Sequence, residues 1–410
     1  MYKTIEKCRV CGNSDLIEVV HLGEMMLTGV FPKSKDKGIT RGPMSLVKCM
    51  GGGGTCGLLQ LKQSYDLREL YGLNYGYRSG LNQSMVDHLY GKVKKILRIV
   101  RLKEKDLVVD IGSNDGTTLA AYPFEGLDLV GIDPTGVKFR DFYKPHIKLI
   151  PDFFSKAVLD KYSNGRKAAV ITSFSMFYDL ESPLSFMQEV CDALDEEGVW
   201  IFEQSYMPTM IKTNSFDTIC QEHLEYYALK QIKWMADKIG LKIIDIEFND
   251  INGGSFSVAV AKKSSYYPEA VNLEDVLARE RSAGFDELRP YVEFSNNINR
   301  TKKELLAFIY KVKSEGKKVF GLGASTKGNV LLQYCGITEQ DIPFIGEVNV
   351  EKFGAYAPGT FIPIISESDL LAKGPDYLLV LPWHFKDFFL KIPKFKNIKL
   401  VFPLPQLEVV

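Results

Sequence analysis

The feature that most constrains the fold of this chain is a strand pattern that runs directly into a glycine turn. Residues 106–122 read DLVVDIGSNDGTTLAAY, in which a short and largely apolar run, Leu107–Ile111, is followed by Gly112 and Gly116. Such a run bounded by turn residues is typical of a strand buried on both faces, as in a parallel sheet covered by helices. The segment therefore predicts an α/β core in which strand, turn and helix follow one another.

The spacing within this turn indicates the kind of ligand that it would bind. It reads D-x-G-x-x-x-G from Asp110 to Gly116, with Asn114 and Asp115 between the glycines. A turn that cradles a pyrophosphate reads G-x-G-x-x-G instead. Glycines allow close approach of the backbone to a ligand, and Asp110 or Asp115 can bind a cationic or hydroxyl-bearing group. The spacing favours the nucleoside pocket of a class I methyltransferase, with a nucleotide-free α/β domain as the alternative.

Residues farther along the chain extend this predicted pocket. Asp133 ends the next strand pattern, LDLVGIDP, where an acid can accept hydrogen bonds from ribose hydroxyls. Asp152 and Phe153, in PDFF, suit an adenine amino group and ring face. Residues 241–263 read as two extended runs joined by Asn252–Gly254, which is a hairpin signal. A final antiparallel hairpin on a parallel sheet is the usual ending of the class I methyltransferase fold.

A second strand, glycine turn and helix occurs near the carboxyl end. Residues 317–337, KKVFGLGASTKGNVLLQYCGI, place three glycines beside Lys327 and Asn329 at a predicted helix N-terminus. Backbone amides and an ammonium together suit a phosphate, although a dinucleotide remains the alternative ligand. Two further strand patterns follow, and open sheets bind ligands at the ends of such strands. The polar and aromatic residues at these ends are Glu347, Asn349, Lys352, Trp383 and His384.

Four of the seven cysteines lie within the first 56 residues, as Cys8, Cys11, Cys49 and Cys56. The first pair has the C-x2-C spacing that lets two thiolates reach one tetrahedral zinc ion. The second pair is C-x6-C, and its four consecutive glycines can fold back so that both sulfurs converge. We expect a structural zinc, since four cysteines leave no open coordination position; unliganded thiols in a small β-rich lobe are the alternative. His21 is expected to pack or cap locally.

Length and charge narrow the class of protein. At 410 residues the chain is expected to form three units: a zinc-binding lobe (1–70), a methyltransferase core (71–265), and a helical bridge with a second Rossmann-like domain (266–410). Lys plus Arg and Asp plus Glu are equal at 51 each, so no overall field recruits nucleic acid or an anionic membrane. The N-terminus lacks a signal peptide and no apolar run could cross a bilayer. We expect a cytoplasmic protein, as a monomer or weak homo-oligomer.

The segment TNSFDTICQEHLEYYAL, residues 213–229, holds one of only five histidines. His223 is flanked by Glu222 and Glu225, and a carboxylate beside an imidazole can raise its basicity. This arrangement would suit a general base near neutral pH. The alternative is a helix N-terminus with solvent-facing polar residues.

Together these segments resemble the sugar C-methyltransferases, which use S-adenosylmethionine (SAM) to methylate C3 of nucleotide-linked 4-keto deoxysugars. The motifs that carry the resemblance are YGYRSGLNQSM, DIGSNDG, FDTICQEHLEYY, NGGSF, GLGASTKGN and APGTFIPI, which occur in that order along nearly the whole chain. The resemblance implies a zinc lobe, a SAM-binding core and a Rossmann-like carboxy-terminal domain.

The resemblance also implies roles for particular residues. Glu222 and His223 match the pair that removes the proton beside the ketone, and Tyr75 and Tyr77 match the substrate-side tyrosines. Such a proton is only weakly acidic, so a base must take it while a donor holds the enolate oxygen. The implied substrate contacts are Arg78, Ser79, Cys220, Asn252, Gly253, Gly254, Ser255, Lys327, Asn329, Glu347, Trp383 and His384. The implied ligands are SAM, a nucleotide-diphosphate sugar and structural zinc.

This chain departs from the family pattern at several positions. Cys220 stands where many members have tyrosine, and the segment SMFYDLESP offers Tyr178 and Asp179 where some members have histidine. The second cysteine pair is wider than usual, and Phe361 replaces a common histidine. The first two departures remove oxyanion donors, which leaves Tyr75, Tyr77 or Tyr178 as candidates for that role.

Three other functions compete with C-methylation at this stage. The acceptor could be oxygen or nitrogen, with the same residues as base. The chain could be a catalytically silent partner that binds a sugar nucleotide or SAM. A zinc-bearing RNA methyltransferase is disfavoured, because the net charge is zero and no basic-aromatic stripe occurs.

Overall fold

A computed structural model describes residues 1–36, 38–70, 77–123 and 126–410. The predicted site residue Tyr75 lies outside these ranges. The amino-terminal lobe contains strands β1 (Tyr2–Thr4), β2 (Leu16–Met26), β3 (Arg41–Cys49), β4 (Leu59–Leu61) and β5 (Gln63–Tyr65), followed by a single turn, α1 (Leu67–Leu70). Strands β2, β3 and β4 form an antiparallel sheet, and β1 pairs with β5.

The central domain alternates strands and helices, as the buried-strand patterns predict. Its elements are α2 (Gln83–Ile99), β6 (Leu107–Ile111), α3 (Thr117–Ala120), β7 (Asp128–Ile132), α4 (Gly136–Phe139), β8 (Ile147–Ile150), α5 (Lys156–Ser163), β9 (Ala168–Phe174), α6 (Pro183–Ala193), β10 (Leu194–Ser205), α7 (Met207–Lys212), β11 (Glu225–Tyr226), α8 (Leu229–Ile239), β12 (Leu241–Asn249) and β13 (Ser255–Lys262). Every residue of β6 is buried, because helices cover both faces of its sheet.

The order of strands in this sheet is β12-β13-β10-β9-β6-β7-β8. Strands β6 to β10 run parallel, whereas β13 runs antiparallel to both β10 and β12. The turn between β12 and β13 contains Asn252, Gly253 and Gly254, all with positive φ. A parallel sheet that ends in one antiparallel hairpin is the class I methyltransferase arrangement, so the predicted fold class is confirmed.

The carboxy-terminal part begins with two helices, α9 (Leu273–Ser282) and α10 (Arg289–Ser314). A second α/β unit follows: β14 (Val319–Leu322), α11 (Thr326–Cys335), β15 (Ile345–Glu347), β16 (Ile364–Ser366), α12 (Glu367–Ala372), β17 (Tyr377–Val380), α13 (Lys386–Leu390), β18 (Lys399–Phe402) and β19 (Glu408–Val409). The strand order is β16-β15-β14-β17-β18-β19, parallel except for β19. The predicted second Rossmann-like domain is thereby confirmed.

The amino-terminal lobe packs against both other units. Leu27 and Leu46 share one hydrophobic core with Ile309 and Val330 of the carboxy-terminal part. The cysteine-bearing end of the lobe joins another core, with Trp200 of the central sheet. Strand β11 of the central segment pairs with β4, which extends the sheet of the lobe. No helix in the described part of the chain is both long and apolar enough to span a membrane.

Candidate active site

The segment that carries Glu222 and His223 is not a helix N-terminus. Between α7 and α8 it forms a short 3-10 helix, Phe216–Thr218, then turns and the two-residue strand β11. The amide of Leu61 donates to the Leu224 carbonyl at 2.8 Å, and that of Leu224 donates to the Tyr178 carbonyl at 2.8 Å. The segment is therefore held between the amino-terminal lobe and the loop after β9.

The His223 side chain is half-buried and has a defined orientation. Its Nδ1 lies 2.9 Å from the Thr218 carbonyl, so Nδ1 carries the proton and Nε2 is the nitrogen that can accept one. The ring meets Tyr178 edge-on at 4.3 Å between centroids. Burial and the nearby Lys327 ammonium lower the pKa of His223 to about 4. The expectation that a neighbouring carboxylate raises its basicity is wrong, because desolvation dominates.

The Glu222 carboxyl hydrogen-bonds the Cys220 thiol, and Glu222 is not among the groups that shift the pKa of His223. It lies against Gly29 of the amino-terminal lobe and near Thr326 at the start of α11. Burial raises the pKa of Glu222, and its Oε2 has no hydrogen-bond partner among the described residues. Glu222 and His223 therefore occupy one site without the direct carboxylate–imidazole bond that the sequence led us to expect.

Lys327 brings the carboxy-terminal domain into the same site. Its Nζ donates to the Asn252 carbonyl at 2.6 Å, and burial lowers the pKa of its ammonium, opposed by the Asp217 charge. Asp217 is buried and accepts a 2.8 Å hydrogen bond from Trp383 Nε1. Burial and Lys327 lower the pKa of His384 to about 3. The structure thus brings together residues of the β12–β13 turn, of the segment that carries Glu222 and His223, and of two carboxy-terminal elements.

Several of the predicted substrate contacts have hydrogen-bond partners within the protein. Asn329 Nδ2 donates to the Thr28 carbonyl at 2.7 Å, and the Glu347 carboxylate accepts the Ala324 amide at 2.9 Å. Cys220 is 1% exposed and packs in the hydrophobic core, and its expected contact with the substrate stays a prediction. Its thiol hydrogen-bonds the Glu222 carboxyl, and burial raises the pKa of the thiol.

The remaining residues of the β12–β13 turn lie beside Lys327. A Cβ on Gly253 would lie 3.8 Å from that of His384, so this turn faces the carboxy-terminal domain. A Cβ on Gly254 would collide with Thr209, which explains the need for glycine there. Ser255 donates its hydroxyl to the Ile251 carbonyl at 2.9 Å and thereby closes the turn.

The glycine turn after β6 has the backbone that a close ligand requires. Gly112, Asn114 and Gly116 all have positive φ, a conformation that most side chains disfavour. Asp133, at the end of β7, accepts the Asn114 amide at 2.8 Å. The Tyr143 hydroxyl, which the sequence did not single out, donates to the Asn114 carbonyl at 3.1 Å. These contacts fix the turn beside the buried Asp133 carboxylate, whose Oδ1 also accepts the Thr135 amide and hydroxyl at 2.6 Å.

The two carboxylates that flank this turn have partners within the protein. Asp110 is 2% exposed and accepts a hydrogen bond from Thr172 Oγ1 at 2.6 Å, and burial raises its pKa to about 7. Asp115 Oδ2 accepts the Gly80 amide at 2.9 Å, and Arg78 Nη1 lies 3.7 Å from it. Both carboxylates therefore stabilise the turn through contacts within the protein.

The segment predicted to face the substrate packs on this same turn. Ser79 donates its amide to Asn114 Oδ1 at 2.9 Å, and the Arg78 guanidinium lies 3.9 Å from the centre of the Phe142 ring. Tyr77 is 48% exposed, so its ring is available to a ligand at the edge of the turn. Arg78 and Ser79 thus contact the glycine turn after β6, and their expected contact with the sugar stays a prediction.

Asp152 and Phe153 follow β8, next to β7 in the sheet. Asp152 Oδ1 accepts the Phe153 amide at 2.8 Å, and the Phe153 side chain is 53% exposed. An exposed aromatic ring at the carboxyl edge of a parallel sheet is available for stacking. The structure therefore leaves these two residues accessible at the expected edge.

The four amino-terminal cysteines converge as predicted. Their sulfur atoms all lie within 4.8 Å of one another, with 3.5 Å between Cys8 and Cys56 and 3.6 Å between Cys11 and Cys49. Tetrahedral zinc with Zn–S bonds near 2.3 Å places sulfurs about 3.8 Å apart. Asn13 Nδ2 approaches Cys49 Sγ at 3.4 Å. The residues fit a closed, structural zinc site, and His21 instead pairs with Ser45 Oγ at 2.8 Å.

The structure contains a histidine–carboxylate pair that the sequence did not predict. His88 Nε2 lies 2.6 Å from Glu203 Oε1, and Lys92 Nζ lies 2.7 Å from Glu203 Oε2. These residues belong to α2 and β10 and are far apart in the chain. The i, i+4 spacing of His88 and Lys92 on one helix face was the available signal, but it could not identify their partner.

Family models match three successive parts of the chain. A model described as "Putative zinc binding domain" matches residues 8–71, one described as "Methyltransferase domain" matches 85–246, and one described as "C-methyltransferase C-terminal domain" matches 250–405. The chain is also similar to C-methyltransferase NovU of Streptomyces niveus, at 30% identity over 386 residues, which covers 93% of this chain and 91% of that protein.

Solved structures give partial matches. The plantazolicin methyltransferase BpumL in complex with SAH matches with a TM-score of 0.35 and 12% identity, over 43% of this chain and 84% of that one. The CcbJ methyltransferase from Streptomyces caelestis matches with a TM-score of 0.34 and 11% identity, over 42% and 89%.

Proposed function

We propose that this chain, which belongs to the family of SAM-dependent C-methyltransferases, methylates C3 of a nucleotide-linked 4-keto deoxysugar with His223 as general base. The observation that carries this proposal is the state of His223. Its Nδ1 proton is committed to the Thr218 carbonyl and its pKa is lowered to about 4, so Nε2 is a free base throughout the neutral range. A general base must be unprotonated when it meets its substrate.

The chemistry needs a base and a partner for the oxygen that becomes negative. Nε2 of His223 takes the proton from the carbon beside the ketone, and the electron pair moves toward the carbonyl oxygen. Tyr178, whose ring meets the imidazole edge-on, and the exposed Tyr77 are the candidate donors to that oxygen. SAM, when bound at the glycine turn, supplies the methyl group that the nucleophilic carbon receives.

A nucleotide-diphosphate sugar suits the charge of the site. Lys327 places a half-buried ammonium next to Asn252 and within electrostatic range of His223. An ammonium in a partly desolvated cleft favours a phosphate, because the interaction is less screened there than in water. We infer that Lys327 contacts the diphosphate, with Trp383 and His384 beside it, while His223 reaches the sugar ring.

The test is deuterium exchange without methyl transfer. The enzyme is incubated in D2O with dTDP-, GDP-, CDP- or UDP-linked 4-keto deoxysugars and no SAM, and deuterium is measured at C3. We expect incorporation with at least one of these sugars, and its loss in His223→Asn together with methylation. Positioned general-base catalysis contributes about 10²–10⁴-fold, so a variant that keeps half of the rate would rule out this role.

A further inference from the structure

One short segment of the amino-terminal lobe lies between residues 213–229, which we call the catalytic segment because they carry Glu222 and His223, and the carboxy-terminal domain. We call residues 26–29 the bridging segment. On one side, Thr28 donates its amide at 3.1 Å and its hydroxyl at 2.9 Å to Gln221 Oε1. Gln221 Nε2 donates to the Met26 carbonyl at 3.2 Å. Both Thr28 and Gln221 are fully buried, and Gln221 immediately precedes Glu222.

On its other side the bridging segment is tied to helix α11. Asn329 Nδ2 donates to the Thr28 carbonyl at 2.7 Å. Gln333 accepts the Met26 amide at 2.9 Å and donates to the Met26 carbonyl at 3.2 Å. Two side chains one turn apart on α11 thus hold the same segment that holds Gln221. The bond between Asn329 and Thr28 is shielded from solvent, because both residues are buried.

Gly29, the last residue of the bridging segment, lies against the Glu222 carboxyl. A Cβ on Gly29 would overlap Glu222 Oε1, and would lie 3.5 Å from Glu222 Cδ and 3.7 Å from Thr326 Oγ1. Gly29 is not among the glycines with positive φ, so its backbone would accept alanine. The glycine is needed for space alone. Glu222 Oε2 has no hydrogen-bond partner among the described residues, and the side chain that bonds to the carboxyl is the Cys220 thiol.

From these contacts we infer that Gly29 is a positioning residue for Glu222, and that the zinc-binding lobe thereby completes the catalytic site. The bridging segment fixes the Gln221 side chain next to Glu222, and Gly29 leaves the space that the Glu222 carboxyl occupies beside α11. This inference rests on the proposed function of the Glu222–His223 segment. It assigns the lobe a part in the geometry of the reaction in addition to stability.

The test compares Gly29→Ala with Gly38→Ala. Gly38 lies in the same lobe, and a Cβ there would meet nothing within 4 Å. We expect Gly29→Ala to lower kcat and C3 exchange at least tenfold, while the Kd for SAM, the zinc content and the Tm match those of Gly38→Ala. A change of less than twofold in kcat would overturn the inference.

A rescue variant separates positioning from general damage. Glu222→Asp shortens the side chain by one methylene, which draws the carboxyl back from a Cβ at position 29. We expect the double variant Gly29→Ala/Glu222→Asp to be more active than Gly29→Ala, so that the two effects are not additive. If the double variant shows the product of the two single losses, the contact does not act as described.

Two further variants, Thr28→Val and His223→Asn, complete the test of the positioning role. If Gly29→Ala folds poorly, Thr28→Val removes only one donor to Gln221, and we expect a several-fold lower kcat with an unchanged Kd for SAM. Wild-type kcat in this variant would then count against the inference. His223→Asn distinguishes the two proposals: if it stays active, the proposed function fails, whereas an inactive His223→Asn with a fully active Gly29→Ala refutes only the positioning role.

Discussion

At the scale of single residues, desolvation determines the direction of the pKa shifts in the candidate active site. His223, His384 and Lys327 all have their pKa lowered by burial, whereas burial raises the pKa of Glu222. Each shift favours the neutral form of its group. A neutral imidazole suits the removal of a proton from carbon, because it does not have to shed a tightly held water shell.

The first prediction concerns the pH dependence of His223. The imidazole acts as a base only when it is unprotonated. We therefore expect kcat/KM to have its full value above the pKa of His223 and to fall as the pH drops through about 4. Lys327→Met removes one of the charges that lower this pKa, so the acid limb should move upward toward the ordinary value near 6.5. Measuring kcat/KM from pH 3.5 to 8 gives the midpoint.

Lys313→Met is the control for this prediction. Lys313 lies on α10 and bonds the Gln340 carbonyl at 2.8 Å, and it is not among the charges that act on His223. Its acid limb should match that of the wild type. An unmoved limb in Lys327→Met would mean that the ammonium does not act on the base.

The second prediction concerns Cys220, where the chain departs from its family. The side chain is fully buried in the core, so Cys220→Tyr should overpack it and lower the free energy of unfolding by about 1–3 kcal/mol. Denaturant titration measures this loss, with Cys220→Ala as the smaller-volume comparison. A tyrosine variant with unchanged stability and higher activity on 4-keto sugars would show instead that position 220 opens onto the substrate.

At the scale of secondary-structure elements, strand β11 connects the segment that carries Glu222 and His223 to the four-cysteine zinc site. Glu225 of β11 pairs with Gln60 of β4, and Arg9 donates its amide to Gln60 Oε1 at 3.0 Å. Arg9 lies between Cys8 and Cys11, and its Nε is 3.9 Å from Glu225 Oε1. The cysteine loop, β4 and β11 therefore form one continuous set of contacts that ends next to His223.

The third prediction concerns the removal of zinc. Without the ion the cysteine loop loses its anchor, so β11 should loosen with it. We expect a chelator to increase amide exchange in residues 216–228 at least tenfold, which corresponds to about 1.4 kcal/mol of lost local stability. Peptides from β17, at the centre of the carboxy-terminal sheet, serve as the reference. Loosening confined to residues 8–60 would contradict this coupling.

At the scale of the whole molecule, the site exists only where three units meet. Gly29 comes from the amino-terminal lobe, His223 and Asn252 from the central domain, and Lys327 from the carboxy-terminal domain. The glycine turn after β6, where we expect SAM to bind, is by contrast held by bonds between residues of the central domain. The two ligands should therefore respond to different substitutions.

The fourth prediction uses this difference. A ligand at about 100 times its Kd stabilises the native state by about 2.7 kcal/mol, which a thermal shift resolves. We expect SAM to raise the Tm of both the wild type and Lys327→Ala, whereas the accepted sugar nucleotide should raise only that of the wild type. A Lys327→Ala protein that loses the SAM shift would place SAM, not the diphosphate, at the second glycine turn.

Local patterns in the chain were sufficient for the fold class, the glycine turns, the β12–β13 hairpin and the four zinc ligands. Each depends on short-range properties: the length of an apolar run, the φ values open to glycine, or the spacing of two thiols. Thr28 and Gln221, the opposite shift of the His223 pKa, the burial of Cys220 and the His88–Glu203 pair required the folded chain. Their contacts join residues distant in sequence, and desolvation is set by everything packed around a group, so neither can be deduced from neighbouring letters.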